Sequence, residues 1–168
     1  TPSCSLYIRD FNFLGALIIT ASHNPYNWLG LKIKSFKGCS VDENFTKNVE
    51  ERLQLDNFIS PIYCKYQTED IKKYHINKIK SKFDIQFIVK KLKELKIKVF
   101  IDSMHGSAAN SISILFNGYE SNVIQEIREN RDPYFGGSPP EPLKIYLSKL
   151  FDILNKEAKI GFKTIGIV

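Results

Sequence analysis

Cysteine is sparse in this sequence, and its sparseness excludes two chemistries. Cys4, Cys39 and Cys64 are scattered and odd in number, so they form neither a disulfide framework nor a Cys-x-x-Cys metal or redox motif. A reducing, cytoplasmic setting is the expectation. Long apolar runs are missing too: the longest are broken by glycine or polar residues, well short of a membrane span. No signal-peptide pattern is read ahead of the first strand, and no membrane partner is expected. Acidic residues are outnumbered, 18 against 24 Lys and Arg, for a net charge of +6. Such a field favours nucleic acid, an acidic surface or a phosphorylated small molecule alike. The lysines are dispersed among isoleucines over residues 32–98 without an aromatic-interleaved stripe, so nucleic acid is not the expected partner.

What is present is ordinary globular composition, 43% hydrophobic and 25% charged, in 168 residues. That length suits one good domain or two small ones. The chain has no initiator Met, begins at Thr1-Pro2 and stops within an apolar strand, and a fragment is the expectation.

Residues 6–11 read as a short helix. Residues 15–20, Gly-Ala-Leu-Ile-Ile-Thr, are apolar without alternation and read as a fully buried strand. Leu31-Lys32-Ile33-Lys34 alternates, predicting a strand with one wet face, and Gly38 marks a turn. A helix is predicted over 45–55, with acidic residues ahead of it suited to the N-terminal dipole. Residues 60–69 read as a connector. Residues 70–95 are Lys-rich with apolar positions at near-helical spacing, and read as an interdomain linker plus the first helix or helices of a second domain. Beyond them a βα rhythm sets in. Strands are expected at 97–101, 122–127 and 165–168, helices at 106–116 and 143–154, and a Gly/Pro-rich loop at 128–142. This alternation predicts an α/β fold, a three-layer α/β/α arrangement on a mixed, mostly parallel sheet, truncated.

The loop Thr20-Ala21-Ser22-His23-Asn24-Pro25 carries the chemistry. Asn-Pro ends regular structure, because proline drives its predecessor from the helical region and lacks an amide donor. Small polar residues after a buried strand therefore sit on an exposed turn, where a side chain can meet substrate. A hydroxyl, an imidazole and backbone amides are together. A Ser-His-Asp hydrolase is disfavoured: adjacent extended residues point to opposite sides, so His23 is expected to be badly placed to take a proton from Ser22. No Gly-x-Ser-x-Gly elbow is present. From the residues alone, an ordinary structural turn remains open for Ser22, and a surface lysine on a strand remains open for Lys32.

Thr-Ala-Ser-His-Asn-Pro, preceded by Gly15-Ala16-Leu17-Ile18-Ile19, resembles the phosphoserine loop of the α-D-phosphohexomutases, the phosphoglucomutase/phosphomannomutase family. That family continues with Asn-Gly-x-Lys. Here Leu29-Gly30-Leu31-Lys32 stands at the matching distance, with Leu29 in place of the usual Asn. A second stretch, Asp102-Ser103-Met104-His105-Gly106, is similar to the turn that opens the family's second domain. Asp132-Pro133-Tyr134-Phe135-Gly136-Gly137 and Pro139-Pro140-Glu141-Pro142 resemble the loop and helix entry that follow. Structural roles are expected for Asp102, His105 and Asp132, and Gly106 opens a helix.

The resemblance implies three regions. Residues 1–69 match the C-terminal part of the first domain with its phosphoserine loop, 70–95 the linker and first helix of the next, and 96–168 the second domain up to its metal loop. It implies an intramolecular phosphotransferase that interconverts hexose 1-phosphate and 6-phosphate through a phosphoserine and a bisphosphorylated sugar. Ser22 would carry the phosphoryl group, Lys32 would serve as general acid/base and contact substrate, and His23 would contact substrate or shape the loop. The implied cofactors are Mg²⁺ and a sugar bisphosphate activator. Ser22 would be a metal ligand through its phosphate; the family's Asp-x-Asp-x-Asp-Arg loop does not occur in this sequence. The alternative is a non-catalytic central fragment, inactive in isolation. Neither the particular hexose nor the oligomeric state follows from these residues.

Overall fold

The structure is a computed structural model that describes residues 1–54, 63, 65–117 and 123–168. It divides into two compact units, Thr1–Thr20 with Leu31–His75, and Ala21–Gly30 with Ile76–Val168. The serine loop thus belongs to the unit that holds the C-terminal part of the chain.

In the first unit, α1 spans Pro2–Asp10. It starts earlier than the apolar pattern at 6–11 suggests, because Pro2 lies in the first turn, where its missing N–H goes unneeded. Tyr7 on the helix and Phe11 just after its end meet the Tyr74 ring edge-on at centroid distances of 5.2 Å. The Tyr74 hydroxyl donates to Asp10 at 2.9 Å. Strands β1 (Gly15–Ile19) and β2 (Leu31–Ser35) form an antiparallel pair in which Ile18 faces Lys32 and Ile19 faces Leu31. Gly38 then turns the chain at φ +75°, and a Cβ there would collide with the Ser5 carbonyl oxygen. Only glycine lets the turn after β2 lie against α1 so closely.

The expectation of a fully buried first strand is corrected here. Leu17 is 69% exposed and Ile19 74%, with Leu31 at 56% on the same face. The unbroken apolar run does mark a strand, but β1 pairs only with β2 among the described residues, and no described element covers that face. The expected one-sided wetting of β2 is also replaced: Leu31 and Lys32 are both exposed, and Ile33 and Lys34 are half-buried. Helix α2 (Glu43–Leu53) begins two residues before the predicted start, because the Asp42 carboxylate caps it by accepting from the Phe45 N–H at 2.8 Å. Leu55, Cys64 and residues 60–62 of the predicted connector lie outside the described residues, as does Asn122 at the start of a predicted strand.

The Lys-rich stretch is two helices, α3 (Ile71–Lys80) and α4 (Ile85–Glu94). Between them the Asp84 side chain accepts from Phe87 N–H and starts α4 afresh. In the second unit β3 (Ile97–Asp102) is the central strand of a parallel three-stranded sheet. It is flanked by β4 (Ile124–Ile127) and β5 (Lys163–Ile167). Alternation along β3 feeds two cores. Val99, with Ile97 and Ile101, packs toward Ile85, Val89, Phe116 and Ile124, whereas Phe100 joins Ile127 and Leu150 of α6 (Ser148–Lys159). A parallel sheet covered on both faces is the expected α/β/α layering. β5 lies at the edge of the sheet, and Ile165 remains 44% exposed. Gly166 admits α6, since a Cβ there would come within 2.9 Å of Leu154.

Two predicted helices are corrected. Over 106–116 only α5 (Ser111–Leu115) is helical. Asn110, in the middle of that run, has φ +64°, which a continuous helix cannot contain, and Met104 and His105 just before it are left-handed as well. Gly106 therefore sits in a turn and opens no helix. Over 143–154 a short 3₁₀ turn at Lys144–Tyr146 precedes α6, so Pro139-Pro140-Glu141-Pro142 enters an irregular segment instead of a helix.

Candidate active-site loop

β1 delivers the chain to Ala21, and the loop then folds on itself. The Asn24 N–H and its side-chain amide both donate to the Ala21 carbonyl, at 3.1 and 2.9 Å. The Trp28 N–H closes the next turn onto the Pro25 carbonyl at 3.0 Å. Inside the first turn Ser22 takes φ +61°, a left-handed conformation that stores strain in a serine. Its side chain is exposed.

That twist overturns the expected geometry of His23. With Ser22 left-handed, the two neighbouring side chains no longer point apart, and Ser22 Oγ stands 3.4 Å from His23 Nδ1. The rule of opposite sides holds for extended backbone, which this is not. On its other edge the ring places Nε2 3.9 Å from the Glu141 carboxylate. Sequence reasoning did not assign Glu141 to this neighbourhood; it lies far along the chain, and its Pro-Glu-Pro setting is the only sequence signal. Tyr26 and Tyr134 form a second contact of the same loop, edge to face with centroids 5.0 Å apart. Lys32 is exposed on β2, opposite Ile18, in the other compact unit.

The segment that meets the loop is itself tightly held. Asp102, its side chain fully buried, accepts from two Arg128 nitrogens, Nε at 2.7 Å and Nη2 at 2.5 Å, and from the Met104 N–H at 3.1 Å. Arg128 also donates to the Tyr146 carbonyl at 3.1 Å. His105 Nδ1 contacts the Asn130 carbonyl at 2.7 Å, and the Asp132 N–H donates to the His105 carbonyl. The Asp132 carboxylate accepts from the Tyr134 and Gly136 N–H groups. Those two bonds, Tyr134's foremost, hold its carboxyl below the usual range against a smaller opposing effect of desolvation. Asp102, His105 and Asp132 are thus engaged in shaping the backbone. Glu126, 8% exposed, was missed by sequence reasoning; it accepts from Ser103 Oγ, Ser113 Oγ and the N–H groups of Ile112 and Ser113. In this way it sets where α5 begins.

Among the described residues no three His, Cys, Asp or Glu side chains converge to hold a metal ion. These residues therefore do not build a donor set for Mg²⁺ by themselves. Among the described residues, too, no helix is long and apolar enough to cross a membrane.

The fold and the loop define an α/β protein that carries an exposed serine and histidine on a turn after a strand. The sequence profile of phosphoglucomutase/phosphomannomutase α/β/α domain I matches residues 1–59, and that of domain II matches 73–166. The chain belongs to the phosphoglucomutase/phosphomannomutase family. It is similar to the phosphoglucosamine/phosphogalactosamine mutase of Sulfurisphaera tokodaii, with 26% identity over 95% of this chain and 34% of the relative. It is also similar to a phosphoglucomutase/phosphomannomutase of Thermococcus kodakarensis, with 26% identity over 92% of this chain and 33% of the relative. A crystal structure from Thermus thermophilus, assigned as a phosphomannomutase, superposes with a TM-score of 0.74 at 28% identity. The match covers 91% of this chain and 34% of that one. The chain spans about a third of the length of the curated relatives it matches.

Proposed function

We propose that these residues carry the phosphoserine half-site of a phosphohexomutase that interconverts hexose 1-phosphate and 6-phosphate through a bisphosphorylated sugar. The observation that carries the reading is Ser22: an exposed hydroxyl in a strained left-handed turn, within the motif that resembles the family's phosphoserine loop. Backbone strain of this kind collects at functional sites.

In the first half-reaction the sugar hydroxyl oxygen attacks the phosphorus of phosphoserine 22. The P–Oγ bond breaks, and the hydroxyl proton ends on Ser22 Oγ. After the bisphosphate turns around, the reverse step returns its other phosphoryl group to Ser22. Phosphoserine bears a charge of about −1.5 to −2 near neutral pH, so cationic groups must balance it as charge spreads over the transferring oxygens. Lys32 is assigned to move the hydroxyl proton or to neutralise those oxygens. His23, beside Oγ, is assigned to shape the loop and touch phosphate. A phosphorylated Ser22 would offer its oxygens as one ligand to Mg²⁺, and a sugar bisphosphate would serve as activator. The substrate is a hexose phosphate and the setting cytoplasmic.

The second reading is that the 168 residues alone fold without turning over, because they span only a third of the relatives' length. Intact mass before and after phosphatase, followed by peptide mapping of protein from its source cells, tests the first. One phosphoryl group on Ser22 is expected, absent after Ser22→Ala; a phosphate on another residue, or none after incubation with glucose 1,6-bisphosphate, overturns it. A coupled mutase assay on the purified chain tests the second, and measurable turnover defeats it.

A further inference from the structure

We propose that Tyr134 and Glu141 are positioning residues for the serine loop: Tyr134 pins its far end through Tyr26, and Glu141 orients His23 toward Ser22. The inference deepens the reading of Ser22 given above and rests on it for its functional meaning.

Two separate contacts reach the loop from one segment. The Tyr26–Tyr134 ring pair stands at 5.0 Å with an interplanar angle of 72°, a favourable edge-on geometry. Glu141 Oε1 lies 3.9 Å from His23 Nε2, while His23 Nδ1 faces Ser22 Oγ at 3.4 Å. The imidazole therefore stands between a carboxylate and a hydroxyl, one on each ring nitrogen. At 3.9 Å the carboxylate is within charge-pair range of Nε2 but beyond hydrogen-bond length, so Glu141 acts through its field: it favours the ring orientation and tautomer that put Nε2–H on its own side and the Nδ1 lone pair on the serine side. Both partners are partly exposed, at 57% and 36%, and the pair adds little to stability. Its effect is on orientation.

The segment can act as an anchor because it is fixed from below. The Asp132 carboxylate holds the Tyr134 and Gly136 amides, its own N–H is tied to the His105 carbonyl, and His105 is tied to Asn130. Phe135 and Gly136 follow with φ of +53° and +69°, which turns the chain back on itself just after Tyr134. Tyr134 itself is 60% exposed, so replacing it deletes no buried core residue.

The sole tryptophan of the chain, Trp28, lies in the serine loop and reports on it directly. In the 168-residue chain, Glu141→Gln should shift the His23 ring ¹⁵N resonances away from the Nε2–H tautomer, with unchanged circular dichroism. Glu141→Asp, which keeps the negative charge, should restore part of the Nε2–H bias. Tyr134→Leu should raise the mobility of Trp28 in time-resolved anisotropy by roughly threefold to tenfold in the open population, and Tyr134→Phe should leave it unchanged. Unchanged His23 resonances in Glu141→Gln, or unchanged anisotropy in Tyr134→Leu, overturn the inference even where Ser22 carries phosphate. If both signatures move, the positioning stands, and it must also persist in Ser22→Ala. Failure to find phosphate on Ser22 then defeats the proposed function and leaves the positioning geometry supported.

Discussion

Replacing Arg128 by methionine should strip the second unit of its deepest electrostatic contact while keeping most of the side chain's volume. The Asp102 side chain is fully buried, and that of Arg128 is 12% exposed. The substitution deletes two charge-assisted bonds to the carboxylate and one bond to the Tyr146 carbonyl, leaving Asp102 with the Met104 N–H. Removing one partner of a buried ion pair destabilises by about 3–5 kcal/mol, because the other charge stays in a medium that cannot solvate it. For a chain of this size each kcal/mol moves the midpoint by roughly 2–4 °C, so a fall of roughly 6–20 °C is expected. Urea denaturation followed by Trp28 fluorescence reads the loss of stability, since Trp28 belongs to the same unit. Asp102→Asn added to Arg128→Met should recover about 1–3 kcal/mol by removing the orphaned charge. A loss below about 1 kcal/mol in Arg128→Met, or a double variant no more stable than the single, would refute the argument.

Three further outcomes follow from named contacts. Glu126→Ala leaves Ser103 Oγ and the Ile112 and Ser113 N–H groups without their carboxylate, while Ser113 Oγ keeps Glu129, and should lower stability by about 1–3 kcal/mol in urea melts, with fraying of α5 seen in its amide exchange. Gly38→Ala meets the Ser5 carbonyl and an unfavourable φ, and should lower stability by at least about 1–3 kcal/mol by calorimetry. Asp132's folded pKa is depressed, so its contribution is present above the unfolded value of about 3.9 and is lost as pH falls through the lower folded value. Trp28 anisotropy should therefore stay flat through the ordinary carboxylate range and loosen only as pH falls to the lower folded value, and Asp132→Asn should remove that acid transition.

Where neighbouring residues decide a feature, the sequence reveals it. The serine motif, the two parallel strands Ile97–Asp102 and Ile124–Ile127 and the turn at Gly38 depend on local pattern. So does the N-terminal signal of α2, which Asp42 sharpens by capping. What escapes is decided by partners distant along the chain or by single backbone angles. No periodicity announces that Ser22 is left-handed, yet that one angle brings Ser22 Oγ and His23 Nδ1 together. Asp102 and Arg128 are 26 residues apart, so their pairing becomes visible only when β3 and β4 lie side by side. The run from Gly106 to Phe116 reads as helix from the βα alternation, but the left-handed Asn110 breaks it until Glu126 accepts from the first amides of α5. Burial of β1 escapes for a related reason: an apolar run shows what a strand would rather bury, and only the assembled sheet shows what covers it.

The strain at Ser22 separates a functional loop from an ordinary turn by an outcome that the two readings predict differently. A left-handed residue with a Cβ stores roughly 1–2 kcal/mol that glycine does not. Glycine gives back roughly 0.5–1 kcal/mol through the greater freedom of its unfolded chain. On the backbone terms, Ser22→Gly should therefore stabilise the second unit by about 0.5–1 kcal/mol. A turn selected only for shape has no reason to keep the less stable residue. A loop selected to hold a phosphoryl group keeps the hydroxyl at the expense of stability, as sites that trade stability for activity do. Urea melts of Ser22→Gly beside intact-mass measurement should show a higher midpoint and no phosphate. A lower midpoint would mean that the serine is there to hold the turn, and the argument from strain to phosphoryl transfer would fail.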